Sequence, residues 1–217
     1  MKFLRFYILY RLPIIIGLIV MGVVFHLYID VITAWLCYIV AFISLLLYFM
    51  IGTMRIVQEA VAEGNVEAAG RYLKQIKFPR LLLKPVRASY YMLQSNLSLA
   101  ANDLKGAEDQ IRKSLNTKST LNPETKGMNL LQLGFIQIQK GNLKEARLNL
   151  TEAVKIGISD KESLAAAYLQ LCSIEIHRKQ YKIAKAHFKK AKAQKPKGAE
   201  IVKQIAEIEK HISRMPG

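Results

Sequence analysis

The stretch Gly141-Asn-Leu-Lys-Glu-Ala146 recurs along the chain. Gly64-Asn-Val-Glu-Ala-Ala69 is a close copy, and Asp103-Leu-Lys-Gly-Ala107 and Gln180-Tyr-Lys-Ile-Ala184 are looser ones. Their closing alanines, 69, 107, 146 and 184, stand 38, 39 and 38 residues apart. A fixed period of this size marks stacked supersecondary units, none of which buries its apolar face alone. From Arg55 onward glycine and proline are sparse, while Ala, Leu, Lys, Glu and Gln dominate. No stretch alternates in the way a strand does, so the units are helical and the expected fold class is all-α.

Positions inside the units carry a finer pattern. The third has Leu130, Leu133-Gly134, Gly141, Ala146, Leu150 and Ala153, and the fourth has Tyr168, Leu171-Cys172, Tyr181, Ala184, Phe188, Ala191 and Pro196. The second has Tyr91, Ser95, Leu104, Ala107, Ile111 and Ser114, and the first keeps Gly64, Ala69 and Leu73. Small residues let two helices approach, and a large one fills the gap against the next pair. This pattern resembles the tetratricopeptide repeat. The resemblance implies an α-solenoid of about three to four helix pairs over residues 55–197, with a protein or peptide bound on its concave face. The units run about four residues longer than that family's usual repeat, and the excess is expected in loops at 116–126 and 157–161. Ile201, Ile205, Ile208 and Ile212 form one helical stripe, which predicts a C-terminal capping helix within residues 198–217.

The N-terminal part is different. Residues 12–29 and 31–51 are uncharged apolar runs of 18 and 21 residues, separated by Asp30. About 20 such residues cross a hydrocarbon core of ~30 Å. Residues 1–54 are therefore expected to form a transmembrane hairpin, with spans at about 8–29 and 31–52 and Arg11 reaching for headgroups. The first run exceeds the apolar core of a cleaved signal peptide. Lys2, Arg5 and Arg11 precede the first span and Arg55 follows the second, while the turn holds only Asp30. The positive-inside rule then puts both termini in the cytoplasm, as in a two-pass protein of a bacterial inner membrane. No proline falls between Trp35 and Pro79, so the second span is expected to continue into the array as one long helix.

These assignments account for the composition. The 217 residues are 52% hydrophobic and carry a net charge of +16. Of the 32 cations 29 lie from Arg55 onward, together with 15 of the 16 acids. That fraction excludes intrinsic disorder, and the charge points to acidic partners.

No chemistry-bearing motif stands out. There is no phosphate loop, no His-x-x-x-His pair, no nucleophile elbow and no CxxC. Cys37 and Cys172 are too few and too distant for a disulfide framework or zinc site. No catalytic residue, metal or cofactor is expected, and the chain reads as a non-enzyme. The tetratricopeptide resemblance assigns Met92, Asn96, Leu131, Phe135, Gln139, Leu169, Ser173 and His177 to a concave groove, apolar with a few amides. Such a groove suits an amphipathic helix. Of the carboxylate-clamp positions that some family members use, only Asn96 matches; the others hold Met92, Gln132, Ala166 and Gln170. The alternative site is electrostatic. Nine cations and no acid lie in residues 177–197, and Lys182, Lys185, Lys189 and Lys192 share one helical face. That face would take anionic lipid or nucleic acid. It lacks the interleaved aromatics that stack on bases, which disfavours nucleic acid.

Overall fold

The computed structural model describes residues 10–51, 53–117, 122–213 and 215. All regular structure among them is helical. In chain order the helices are α1 (Arg11–Tyr28), α2 (Val31–Ile51), α3 (Met54–Ala62), α4 (Val66–Lys74), a 3-10 turn (Pro79–Leu81), α5 (Lys84–Ala100), α6 (Leu104–Asn116), α7 (Pro123–Gln139), α8 (Leu143–Ile156), α9 (Lys161–His177), α10 (Tyr181–Ala193) and α11 (Ala199–Ile212). They form two compact units, Met1–Leu97 and Ser98–Gly217.

In the first unit α1 and α2 pack against each other. Their shared face is made of small groups: Gly22, Ala34, Ala41 and Ser44 are buried, together with Ile15. A Cβ on Gly22 would lie 2.7 Å from the Tyr38 ring, so only glycine admits that ring. The outward faces are mostly apolar, with Ile16, Leu27, Ile32, Trp35 and Phe42 all exposed and His26 the ionisable exception near the end of α1. Two helices of this length and hydropathy are long enough to cross a membrane. Residues 8, 9 and 52 of the expected spans, and the cations Lys2 and Arg5, lie outside the described residues. Arg11 opens α1 and is buried, so it packs against protein instead of reaching outward.

The expected long helix is two helices. Between α2 and α3 stands Thr53, a buried turn residue. Its hydroxyl donates to the Tyr72 carbonyl, 19 residues away, at 3.0 Å. That bond ties the turn before α3 to α4. Met54, Val57, Ala60, Ala69 and Leu73 of α3 and α4 then build a core with Leu82, Tyr90 and Leu93.

The period found in the sequence reappears in the backbone. Gly64, Asn102, Gly141 and Lys179 take left-handed conformations, with φ of 72°, 58°, 79° and 59°. After each, the next amide donates back over the end of the preceding helix: Asn65 to Ala60, Asp103 to Ser98, Asn142 to Gln137 and Gln180 to Glu175, all at 2.8 Å. This is the Schellman ending, which satisfies carbonyls that a helix terminus leaves open and turns the chain sharply. Four residues after each of the next amides come Ala69, Ala107, Ala146 and Ala184, all buried. Leu73, Ile111, Leu150 and Phe188 follow one turn later, also buried.

In the second unit α7 pairs with α8, and α9 with α10. A Cβ on Gly134 would sit 2.7 Å from Leu150, whereas one on Gly127 would press into the Gly157 carbonyl. Contacts that advance along α8 as they retreat along α7 make the pair antiparallel. The connection before α7 ends at Asn122, whose side chain accepts from Thr125 N. It is therefore shorter than the expected 116–126; residues 118–121 of it lie outside the described residues. α11 packs on α9 and α10, with Ile201, Ile205, Ile208 and Ile212 turned towards Leu169, Cys172, Ala184 and Phe188.

A side chain at left-handed φ costs about 1–2 kcal/mol, and glycine returns about 0.5–1 of that through its freer unfolded chain. Lys179→Gly is therefore expected to stabilise the protein by about 0.5–1 kcal/mol, and Gly141→Ala to destabilise it similarly. Denaturant unfolding of the detergent-solubilised chain, monitored by helical circular dichroism, measures both.

Candidate groove and basic face

In α7 and α9 the core takes most of the surface. Leu130, Leu133, Gly134 and Ile136 of α7 are buried, as are Ala165, Ala167, Leu171, Cys172 and Ile174 of α9. What remains on one side is Phe135, Ile138 and Gln139 from α7 and Ala166 and Gln170 from α9. Together with Ile201 and Gln204 of α11 they line an open depression. Phe135 and Ile138 are half-buried, resting on the core around Leu131 and Leu150. The depression thus offers apolar side chains flanked by three amides, and no charged group lines it.

Only Phe135 and Gln139 of the expected groove residues are brought together there. Leu131 is buried in the core between α7, α8 and α9, and Leu169 is buried under α11. Neither presents a surface to a partner, which corrects their placement. For Leu169 the cover is α11, whose isoleucine stripe lies on that face of α9, and for Leu131 it is the packing of α8 and α9. Ser173 is half-buried and His177 is exposed at the end of α9. Met92 is half-buried and Asn96 exposed, both on the part of α5 that belongs to the first unit.

The lysine face is partly engaged within the fold. Lys185 Nζ donates to the Met215 carbonyl at 2.9 Å, and Lys192 pairs with Glu209 of α11 at 2.6 Å. Lys192 also lies 5.8 Å from the centre of the Phe188 ring, and Lys190 lies 5.7 Å from that of Tyr168. Lys182 and Lys189 are exposed. Two of the four lysines thus help to seat the capping helix.

Sequence reasoning missed a set of buried polar residues at one register. Gln137 on α7 and Glu175 on α9, 38 residues apart, are almost fully buried. Asn149 donates to the Gln137 carbonyl at 2.7 Å, and Gln137 donates to Glu145 at 2.8 Å. Glu175 is held by Arg147 of α8 and by Arg178 at 2.9 Å. Glu108 on α6 is likewise held by Arg112 at 2.6 Å and by Lys140. A buried carboxylate persists only when paired and hydrogen-bonded. Burial pushes the Glu108 carboxyl up, but Lys140 and Arg112 outweigh it and hold it below the usual carboxylate range. These groups lock neighbouring helices together and are saturated by one another.

Burial pushes the Cys172 thiol up to about 11, so it is an inert core residue. Among the described residues no cluster of His, Cys, Asp or Glu is arranged to hold a metal ion. No protein-family model matches the sequence, and no curated protein is significantly similar to it.

His187 supplies a pH dependence. It stacks on Tyr168 at 6.1 Å, and burial, reinforced by nearby Lys190, holds its imidazole below the usual value of 6.5. Glu175 acts the other way and Arg147 with Lys190. The unfolded chain therefore binds the proton more readily than the folded one. Stability from this site is complete above about pH 6.5 and is lost as pH falls through the lowered folded value. The Glu108 contribution is lost only at more acidic pH, below its ordinary 4.5. Thermal melts at closely spaced pH values should show this first decline, and His187→Gln should flatten it.

Proposed function

We propose that this protein is a membrane-anchored helical-repeat scaffold of the tetratricopeptide type. It recruits a protein partner to the cytoplasmic face of a membrane, with a helix or peptide of that partner seated in the depression between α7, α9 and α11. The observation that carries this reading is the joining of two features in one chain. One is a pair of long helices whose outward faces are mostly apolar. The other is an open apolar depression, rimmed by the amides of Gln139, Gln170 and Gln204, on a helical scaffold. Exposed apolar surface of the first kind suits lipid, and of the second kind a partner's amphipathic helix. The fourfold recurrence of the left-handed turn and the buried alanine supports the repeat assignment. Both termini are assigned to the cytoplasm, from the cations that flank the hairpin and the lone Asp30 at its turn. The internal pairing of Lys185 and Lys192 favours the groove over the lysine face as the recognition site.

A photo-crosslinking residue at Gln139 of the full-length protein in its own membrane tests the groove. A discrete adduct is expected, and Phe135→Asp should remove most of it while leaving the circular dichroism melt cooperative. Absence of any adduct, or an adduct indifferent to Phe135→Asp, would overturn the groove. Reporter fusions at the C-terminus and at the Asp30 turn are expected to report opposite sides of the membrane. A C-terminal reporter outside the cytoplasm reverses the assigned orientation.

A further inference from the structure

The segment that follows α4 is built unlike the rest of the chain. Between Glu67 and Asp103 there is no acidic residue, and there are six cations: Arg71, Lys74, Lys77, Arg80, Lys84 and Arg87. At its centre is Lys77-Phe-Pro-Arg-Leu-Leu-Leu-Lys84. Leu82 alone of its apolar residues is buried, in the core with Met54, Val57 and Leu73. Phe78, Leu81 and Leu83 point outward, 61%, 53% and 40% exposed. The 3-10 turn at Pro79–Leu81 makes this possible, and Arg87 braces it by donating to the Arg80 carbonyl at 3.1 Å. Lys77, Arg80 and Lys84 are exposed beside these apolar tips.

Position decides what such a surface is for. The Leu83 amide donates to the Met50 carbonyl at 2.9 Å, in the last turn of α2. An apolar pocket beside it is walled by Tyr48 and Phe49 of α2 and by Ile76, Phe78 and Leu82. The loop is thus fastened to the end of the apolar helix, at the level where a spanning helix leaves the hydrocarbon. Three outward apolar side chains among three cations, with no acid in residues 68–102, have the make-up of an interfacial anchor. In such an anchor the apolar tips enter the boundary between acyl chains and headgroups while the cations meet phosphates.

We propose that the loop around Phe78, Leu81 and Leu83 is a second membrane contact, inserted at the cytoplasmic interface and selective for anionic phospholipid through Lys77, Arg80 and Lys84. The proposal rests on the reading of α1 and α2 as membrane spans. The first helix pair is then held against the membrane by the loop as well as by the end of α2.

The full-length protein in lipid nanodiscs tests it, with an environment-sensitive fluorophore placed at one of two sites. One sample carries Leu81→Cys in a background of Cys37→Ser and Cys172→Ser; the other keeps the native Cys37, within α2, and carries Cys172→Ser. Phosphatidylcholine discs are compared with discs that also contain phosphatidylglycerol. At position 81 the label should be at least about threefold less quenched by iodide than the free dye. It should be quenched by a nitroxide near the lipid headgroup, more so with phosphatidylglycerol present, and Arg80→Glu with Lys84→Glu should erase that lipid preference. Equal quenching in the two lipids overturns the anionic selectivity. A label at 81 open to iodide, while that on Cys37 is quenched by a deep nitroxide, overturns the loop anchor and leaves the spans intact. Iodide access to Cys37 overturns the spans themselves. Shielding at 81 without any quenching by lipid nitroxide means that protein covers the loop, and this also overturns the proposal.

Discussion

Among the described residues the same turn, a left-handed residue followed by an amide that reaches back five positions, recurs at Gly64, Asn102, Gly141 and Lys179 and folds one helix back on the next. Everything periodic in the structure follows from that turn. The residue after each turn donates to the carbonyl five positions earlier, at the same distance in all four turns. The following helix then starts in the same register, and its first buried residue is each time an alanine. Side-chain caps are not the common element. Asn65 and Asp103 accept hydrogen bonds from Ala68 and Gly106, whereas Asn142 and Gln180 make no such cap. The backbone turn persists without the cap, and it persists at Asn102 and Lys179 without glycine. Core packing on both sides of the turn overrides the local cost of the wrong residue.

Much of this was legible in the residues. Ala69, Ala107, Ala146 and Ala184 stand out because a close helix approach admits little else, and a spacing of 38 or 39 residues survives between them. The apolar helices announce themselves by length. The groove was harder to read. Leu131 and Leu169 look like surface positions on a first helix. They are core residues because this scaffold has neighbours on more sides than one helix pair reveals. Gln137 and Glu175 were invisible for the opposite reason. A polar residue on a helix reads as solvent-facing unless its partner is known, and the partners sit on another helix, such as Asn149 and Arg147. Thr53 misled in a third way. Its hydroxyl bonds to the carbonyl of Tyr72, and no local pattern contains that acceptor.

The basic excess also divides once the contacts are known. The lysines of α10 form the densest run in the sequence, yet Lys185 and Lys192 are occupied with residues on or just after α11. Glu108 and Glu175 draw Lys140 and Arg147 into ion pairs between helices, and Arg112 and Arg178 into pairs along their own. A count of positive charge along the sequence therefore overstates what the second unit offers to solvent. The cations of residues 68–102 face no acid from their own segment, so the quieter stretch carries the less compensated charge.

The end of α2 is fastened twice, by the Leu83 amide on the Met50 carbonyl and, just beyond it, by the Thr53 hydroxyl on the Tyr72 carbonyl. A helix joined to the next element by one flexible residue behaves as a swivel. A helix gripped by two separate chain segments does not. Rotation of α2 about its own axis and the attitude of the α3–α4 pair are consequently a single degree of freedom. Any torque on the apolar hairpin passes directly into the first helical pair, as through a keyed shaft.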